Sequence, residues 1–128
     1  MLDLGSGDGR ILIAAVEWFG VKKAIGVEVR EDLVRASRDA IRKKGLEDRV
    51  LVIQGDLFQI PIDEVDVVAL YLTAKALERL RPKLESQLKQ GTRIVCHDYE
   101  IKGWKPEKVE KLLLWRFWPH KIYLYVVP

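Results

Sequence analysis

Glycine recurs at every second position in DLGSGDGR, as Gly5, Gly7 and Gly9, between a short run at residues 1–4 and the apolar segment ILIAAVEWF. Glycines between a strand and a helix let the backbone take positive φ and let a ligand approach where a Cβ would stand. The helix that follows presents unpaired N–H groups and a partial positive charge. The dinucleotide fingerprint G-x-G-x-x-G needs its third glycine three residues after the second; here it comes after two, and that match fails. No lysine or arginine lies between Asp3 and Gly9 to hold a phosphate, while Asp3 and Asp8 add negative charge, which suits an amino group or a sulfonium better than a pyrophosphate. Two more acids follow at later strand ends. Glu28, in GVEV, can accept both hydroxyls of a ribose in a charge-assisted pair. Asp56, in QGDLF, can accept an exocyclic adenine amine, and the Leu57 N–H can reach a ring nitrogen. Together they describe an adenosine lying across the carboxyl ends of adjacent strands.

The elements that must position these groups alternate in type. Residues 1–4, 23–29, 49–54 and 65–72 and the run GTRIVCHDY read as strands. Residues 11–19, apolar almost all round, read as a buried helix. Residues 31–44 form a second helix whose face carries Leu33, Val34, Ser37, Ala40, Ile41 and Lys44, with Gly45 where a C-terminal cap belongs. A third helical pattern carries Leu77, Leu80, Leu84 and Leu88, and Pro82 predicts a kink or a restart within it. Apolar runs such as VVAL and RIVC suit strands covered on both faces, as in a parallel sheet. The segment VEKLLLWRFWPHKIYLYVVP breaks the alternation and predicts an antiparallel hairpin turning at residues 118–121, with Trp115, Phe117 and Trp118 in its core. The expected fold is a single domain over 1–128: a doubly wound, Rossmann-like, mostly parallel α/β sheet finished by that hairpin.

The motifs DLGSGDGR, GVEV and QGDLF resemble the first three binding motifs of class I S-adenosylmethionine-dependent methyltransferases. The stretch LRPKLESQLKQGTRIVCHDYEIKGWKPEKV, followed by YLYVV, is similar to the archaeal broad-specificity protein-lysine methyltransferases and their mitochondrial relatives, so the resemblance covers nearly the whole chain. It implies S-adenosylmethionine as cofactor, with Gly5, Ser6 and Gly7 around the methionine portion, Glu28 on the ribose, and Asp56 with Leu57 on the adenine; Asp3 is also expected to bind the cofactor. It also implies the strand order 3-2-1-4-5-7-6 with the last strand antiparallel. The same resemblance assigns Tyr71, in ALYLT at the end of the fourth strand, to the methyl site as the catalytic residue. His97, Asp98, Glu100 and Trp104 follow the fifth strand and are expected to bind substrate: acids draw in a cationic lysine and Trp104 flanks its aliphatic stem. Methyl transfer from a sulfonium needs no metal, and none is expected. No Asn-Pro-Pro-Tyr-type signature is present, which removes support for methylation of a planar base nitrogen.

The bulk composition is compatible with this and narrows it little. The lone Cys96 rules out an internal disulfide or a cysteine zinc cage and fits a reducing, cytoplasmic setting. The absence of asparagine, with abundant Lys, Arg and Glu, matches a heat-adapted source; an archaeal one is what the resemblance implies. No apolar run reaches the roughly 20 residues of a membrane span. The net charge of +3 permits an acidic partner without requiring one. Protein substrates with exposed lysines are the expected partners. The competing readings are a small-molecule or RNA methyltransferase, and a truncated, weakly catalytic fold serving as a binding module. Only residues 1–4 precede the loop, whereas strands usually run about five or six residues. The start of the first strand is thus expected to be missing, and the resemblance implies a further N-terminal segment that helps cover the cofactor, so the cofactor is expected to be held weakly.

Overall fold

The computed structural model describes residues 1–115 and 118–128, with side chains outside 113–118. The chain forms two compact units, Met1–Ile60 and Pro61–Pro128.

The first unit runs β1 (Leu2–Leu4), α1 (Arg10–Phe19), β2 (Ala24–Glu28), α2 (Glu31–Lys43) and β3 (Val50–Gln54). β2 pairs in parallel with β1, setting Asp3 opposite Gly26, and with β3, setting Glu28 opposite Gln54. Both helices pack on β2 and β3 through Leu12, Val16, Val34, Ile41, Val50 and Val52. The α2 face is as periodic as expected, with Val34, Ser37 and Ile41 buried; the Ser37 hydroxyl donates to the Val34 carbonyl at 2.9 Å, so its burial leaves no unmet donor. Lys44, at the edge of that predicted face, is exposed. Gly45 closes the helix at φ 66°: its N–H donates to the Arg42 carbonyl and the Leu46 N–H to that of Ile41, a left-handed cap. α1 differs from the prediction. Only Leu12, Ile13, Ala15 and Val16 are buried, while Trp18 and Phe19 are each 78% exposed. A ten-residue helix offers one stripe to the sheet, and its apolar run is wider than that stripe. β3 is covered on one face only: Val50 and Val52 are buried, and Leu51 and Ile53 are exposed. Arg38 Nη2 donates to the Val52 carbonyl at 2.9 Å.

Gly26 is required by space. A Cβ there would stand 2.5 Å from Ser6 Oγ and Leu12 Cδ1 and 2.6 Å from Ser6 Cβ. Gly26→Ala is expected to destabilise the protein by about 1–3 kcal/mol, the usual cost of overpacking. A thermal melt should fall by at least about 4 °C; an unchanged midpoint would mean that Ser6 moves aside freely.

The second unit runs β4 (Val67–Leu70), α3 (Ala74–Gln87), β5 (Arg93–His97), β6 (Lys108–Trp115) and β7 (Trp118–Val126). Thr73 caps α3 by accepting the Ala76 N–H. Pro82 lies inside α3 and the helix continues through it, without the predicted restart; buried Leu77, Leu80 and Leu84 hold both halves on one packed face. β4 and β5 are parallel, while β7 runs antiparallel to both β5 and β6. The hairpin is real, but its predicted turn at residues 118–121 is strand: β7 begins at Trp118, which pairs with Trp115. The expected core roles of Trp115, Phe117 and Trp118 lie outside the described side chains. Buried Tyr125 accepts the Ile101 N–H through its hydroxyl at 3.0 Å and anchors the loop after β5.

The strand order is β3-β2-β1-β4-β5-β7-β6, the order that the sequence resemblance implies, in a Rossmann-like α/β mixed sheet. Among the described residues no helix is long and apolar enough to cross a membrane.

Candidate active site

The cradle forms where β1 ends. Gly5 and Gly7 take φ of 84° and 58°, which turns the chain out of the strand, and nothing stands within 4 Å of where a Cβ at Gly7 would lie, so that position is open to a ligand. The N–H groups of Gly5 and Ser6 donate to the Val27 carbonyl, tying the loop to β2. Glu28 sits at the end of β2, and its two oxygens are separately engaged. Oε1 accepts the Gly7 N–H at 2.9 Å and Oε2 the Arg30 N–H at 2.9 Å. The carboxylate is therefore aimed at the glycine loop, and each oxygen keeps a lone pair for a hydroxyl.

Asp3, at 1% exposure, is the most buried acid of the cradle. Burial, reinforced by the Glu28 charge, pushes its carboxyl up to about 7. Asp3 Oδ1 and the nearby Ser6 Oγ are buried without hydrogen-bond partners. Two orphaned polar atoms beside an open loop are what a site built for a polar, cationic ligand would show. Asp8 plays no such part: it pairs with Arg10 at 2.7 Å, and that hydrogen bond holds its carboxyl below the usual range. After β3, exposed Asp56 accepts the Phe58 N–H through Oδ1 at 2.9 Å, and Leu57 is half-buried. This turn keeps Asp56 Oδ2 at the surface end of β3. The residues present thus fit the nucleoside and amino-acid parts of S-adenosylmethionine.

The second unit gathers a different cluster. Tyr71, 58% exposed, lies just past β4 with its ring 4.2 Å from the His97 ring. Tyr71, Leu72, Thr73, His97, Asp98 and Tyr99 line a cavity of about 230 Å³. Asp98 takes φ 67°, an uncommon conformation for a residue with a Cβ. Its Oδ1 accepts the Lys121 N–H, and its carboxylate lies 3.0 Å from His120 Nδ1. Burial acts to raise the Asp98 carboxyl, but these hydrogen bonds and the flanking imidazoles hold it below its usual range. Burial pushes His97 down, assisted by His120 and opposed by Asp98. Glu100 is exposed. Trp104 is not brought to this cavity: its Nε1 donates to Glu85 at 3.2 Å, and it lines a separate cavity of about 820 Å³ with Glu107 and Val126. His120 is the residue that sequence reasoning misses, because the expected turn at 118–121 leaves it unpaired, whereas the β5–β7 register delivers it beside Asp98.

A glycine loop leading into a helix, a loop-facing glutamate on the next strand and this strand order define a class I S-adenosylmethionine-dependent methyltransferase. The model of the ANTKMT methyltransferase domain matches residues 3–108. The chain belongs to that family. A protein-lysine N-methyltransferase of Saccharolobus islandicus is 44% identical over 98% of this chain and 77% of its own length. The adenine nucleotide translocase lysine N-methyltransferase of Mus musculus is 31% identical over 96% of this chain, which spans only 53% of that protein. Among solved structures, an RNA methyltransferase from Salinibacter ruber in complex with S-adenosyl-L-homocysteine superposes with a TM-score of 0.91. It is 38% identical and covers 99% of this chain and 79% of its own.

Proposed function

We propose that the chain transfers methyl groups from S-adenosylmethionine to lysine side chains of proteins. The observation that carries the acceptor is the 44% identity, along almost the whole chain, to a protein-lysine N-methyltransferase. The aromatic and acidic surroundings of Tyr71, with Tyr99 and Asp98 on the same cavity, support it. The bound cofactor supplies an electrophilic methyl group; the protein must deliver a neutral amine in line with it. A free lysine has a pKa near 10.4, so about one in 2,500 is neutral at pH 7. Desolvation in a small cavity disfavours the ammonium and raises that fraction. In this reading Glu28, Asp56 and Leu57 hold the nucleoside, and Asp3, Gly5, Ser6 and Gly7 the methionine portion. Tyr71 packs its ring on the incoming amine and orients it through the hydroxyl. Asp98 and Glu100 draw the cation in, His97 supports the Tyr71 ring, and Trp104 takes the polypeptide flanking the target lysine.

A second reading, methylation of RNA, draws on the 38% identity to the Salinibacter ruber protein. Incubating the purified chain with tritiated S-adenosylmethionine and a cell extract, then separating protein from RNA, distinguishes the two. The expected result is label in protein, recovered as methylated lysine after acid hydrolysis. Label confined to RNA would reject the lysine acceptor.

A further inference from the structure

We propose that, when no lysine substrate is engaged by Asp98, His97, Asp98 and His120 form a binding site for a divalent transition-metal ion. The chain has two histidines, and the fold sets both against one carboxylate. One ligand atom from each of the three residues lies within 4.8 Å of the other two. His120 Nδ1 is 3.0 Å and His97 Nδ1 3.4 Å from the same Asp98 Oδ2. Ligands bound about 2.0–2.1 Å from a tetrahedral Zn²⁺ stand about 3.3 Å apart, so two of the three separations already suit an ion. The third, between the two imidazoles, lies within 4.8 Å.

His97 Nδ1 is buried and makes no hydrogen bond, and a metal ion at the shared centre would satisfy it. The frame is stiff. Asp98 donates its N–H to the Lys121 carbonyl at 2.7 Å and accepts the Lys121 N–H through Oδ1, which fixes the carboxylate from behind. His97 and His120 sit on paired strands, β5 and β7, with ring centroids 4.9 Å apart. The left-handed backbone at Asp98 is an uncommon conformation that this arrangement uses. Two imidazoles and one carboxylate favour Zn²⁺, Co²⁺ or Ni²⁺ over Mg²⁺ or Ca²⁺. The adjoining cavity beside Tyr71 and Tyr99 leaves room for a water as fourth ligand. Sequence spacing gives no sign of this site, because it exists only through the β5–β7 register.

The test uses the chain free of appended histidines, stripped with EDTA and desalted. Titration with Co²⁺ should give visible d–d bands saturating at one ion per chain, displaced by one equivalent of Zn²⁺. Competition against a chromophoric chelator should place the Zn²⁺ Kd at about 10 μM or tighter, and His120→Asn or His97→Gln should each weaken it at least about 10-fold. In the unaltered chain, Zn²⁺ should protect both histidines from diethyl pyrocarbonate, a readout that needs no variant to fold. Absence of saturable binding, full histidine reactivity in the presence of Zn²⁺, or undiminished affinity in His120→Asn and His97→Gln would overturn the site. These readouts are independent of methyl transfer, so the lysine acceptor is neither supported nor rejected by them.

Discussion

Glu28→Ala is expected to weaken binding of S-adenosylhomocysteine by about 100-fold or more, since hydrogen bonds to a charged group contribute about 1.5–3 kcal/mol each. The proposed ribose contact accounts for part of that. The rest follows from the loop, because Glu28 Oε1 holds the Gly7 N–H and Oε2 the Arg30 N–H. Glu28→Gln separates the two contributions. Its amide oxygen can still accept the Gly7 N–H, but the charge is gone and one acceptor becomes a donor, so about a tenfold loss is expected. Isothermal titration calorimetry on both variants, with circular dichroism to verify folding, checks the order. If Glu28→Ala binds within threefold of the parent protein, the ribose assignment fails.

Asp3→Asn is expected to stabilise the cofactor-free protein while weakening cofactor binding. The sign follows from the raised carboxyl. Below pH 3.8 the residue is protonated whether the chain is folded or not. Between there and about 7 the unfolded chain releases its proton and the folded chain keeps it, so stability falls as pH rises. Above about 7 both forms are ionised and the penalty is complete. Its upper limit is about 4 kcal/mol, from a shift of roughly three pK units. Urea melts at pH 4 and pH 8 should therefore differ less in Asp3→Asn than in the parent, with the variant ahead at pH 8. A cationic ligand beside Asp3 would draw its proton off. Binding at pH 6.5 should then release a measurable fraction of a proton, and Asp3→Asn should release less. Calorimetry in two buffers of different ionisation enthalpy reads this directly. Equal proton release from both chains would mean that Asp3 does not face the ligand's charge.

The cradle was legible in the sequence because everything that makes it is local. Gly5 and Gly7 sit in the bend itself, Glu28 closes its own strand, and parallel pairing of β1, β2 and β3 then sets the strand ends side by side. The hairpin was less legible. Its partners are antiparallel, so a turn misplaced by a few residues moves every side chain after it, and His120 passes from an expected turn to a paired strand. Trp104 was drawn to the Tyr71 cavity by sequence proximity to His97, yet the loop after β5, pinned at Ile101 by the Tyr125 hydroxyl, carries it to Glu85. Hydropathy alone buries Trp18 and Phe19; the cap at Gly20, whose N–H reaches the Ala15 carbonyl, ends the helix with both of them outward. Composition and periodicity describe which residues want cover, and the available cover is decided by neighbours elsewhere in the chain.

The guanidinium that reaches from Arg38 to the Val52 carbonyl has a consequence for the edge of the sheet. β3 ends the strand order, so its outer margin could template a further strand from another molecule, and its apolar Leu51 and Ile53 would favour such stacking. By filling an acceptor in the middle of that margin with a charged group, α2 breaks the ladder that a foreign strand would have to complete. The helix that helps build the core thus also occupies an acceptor on the exposed edge of the sheet.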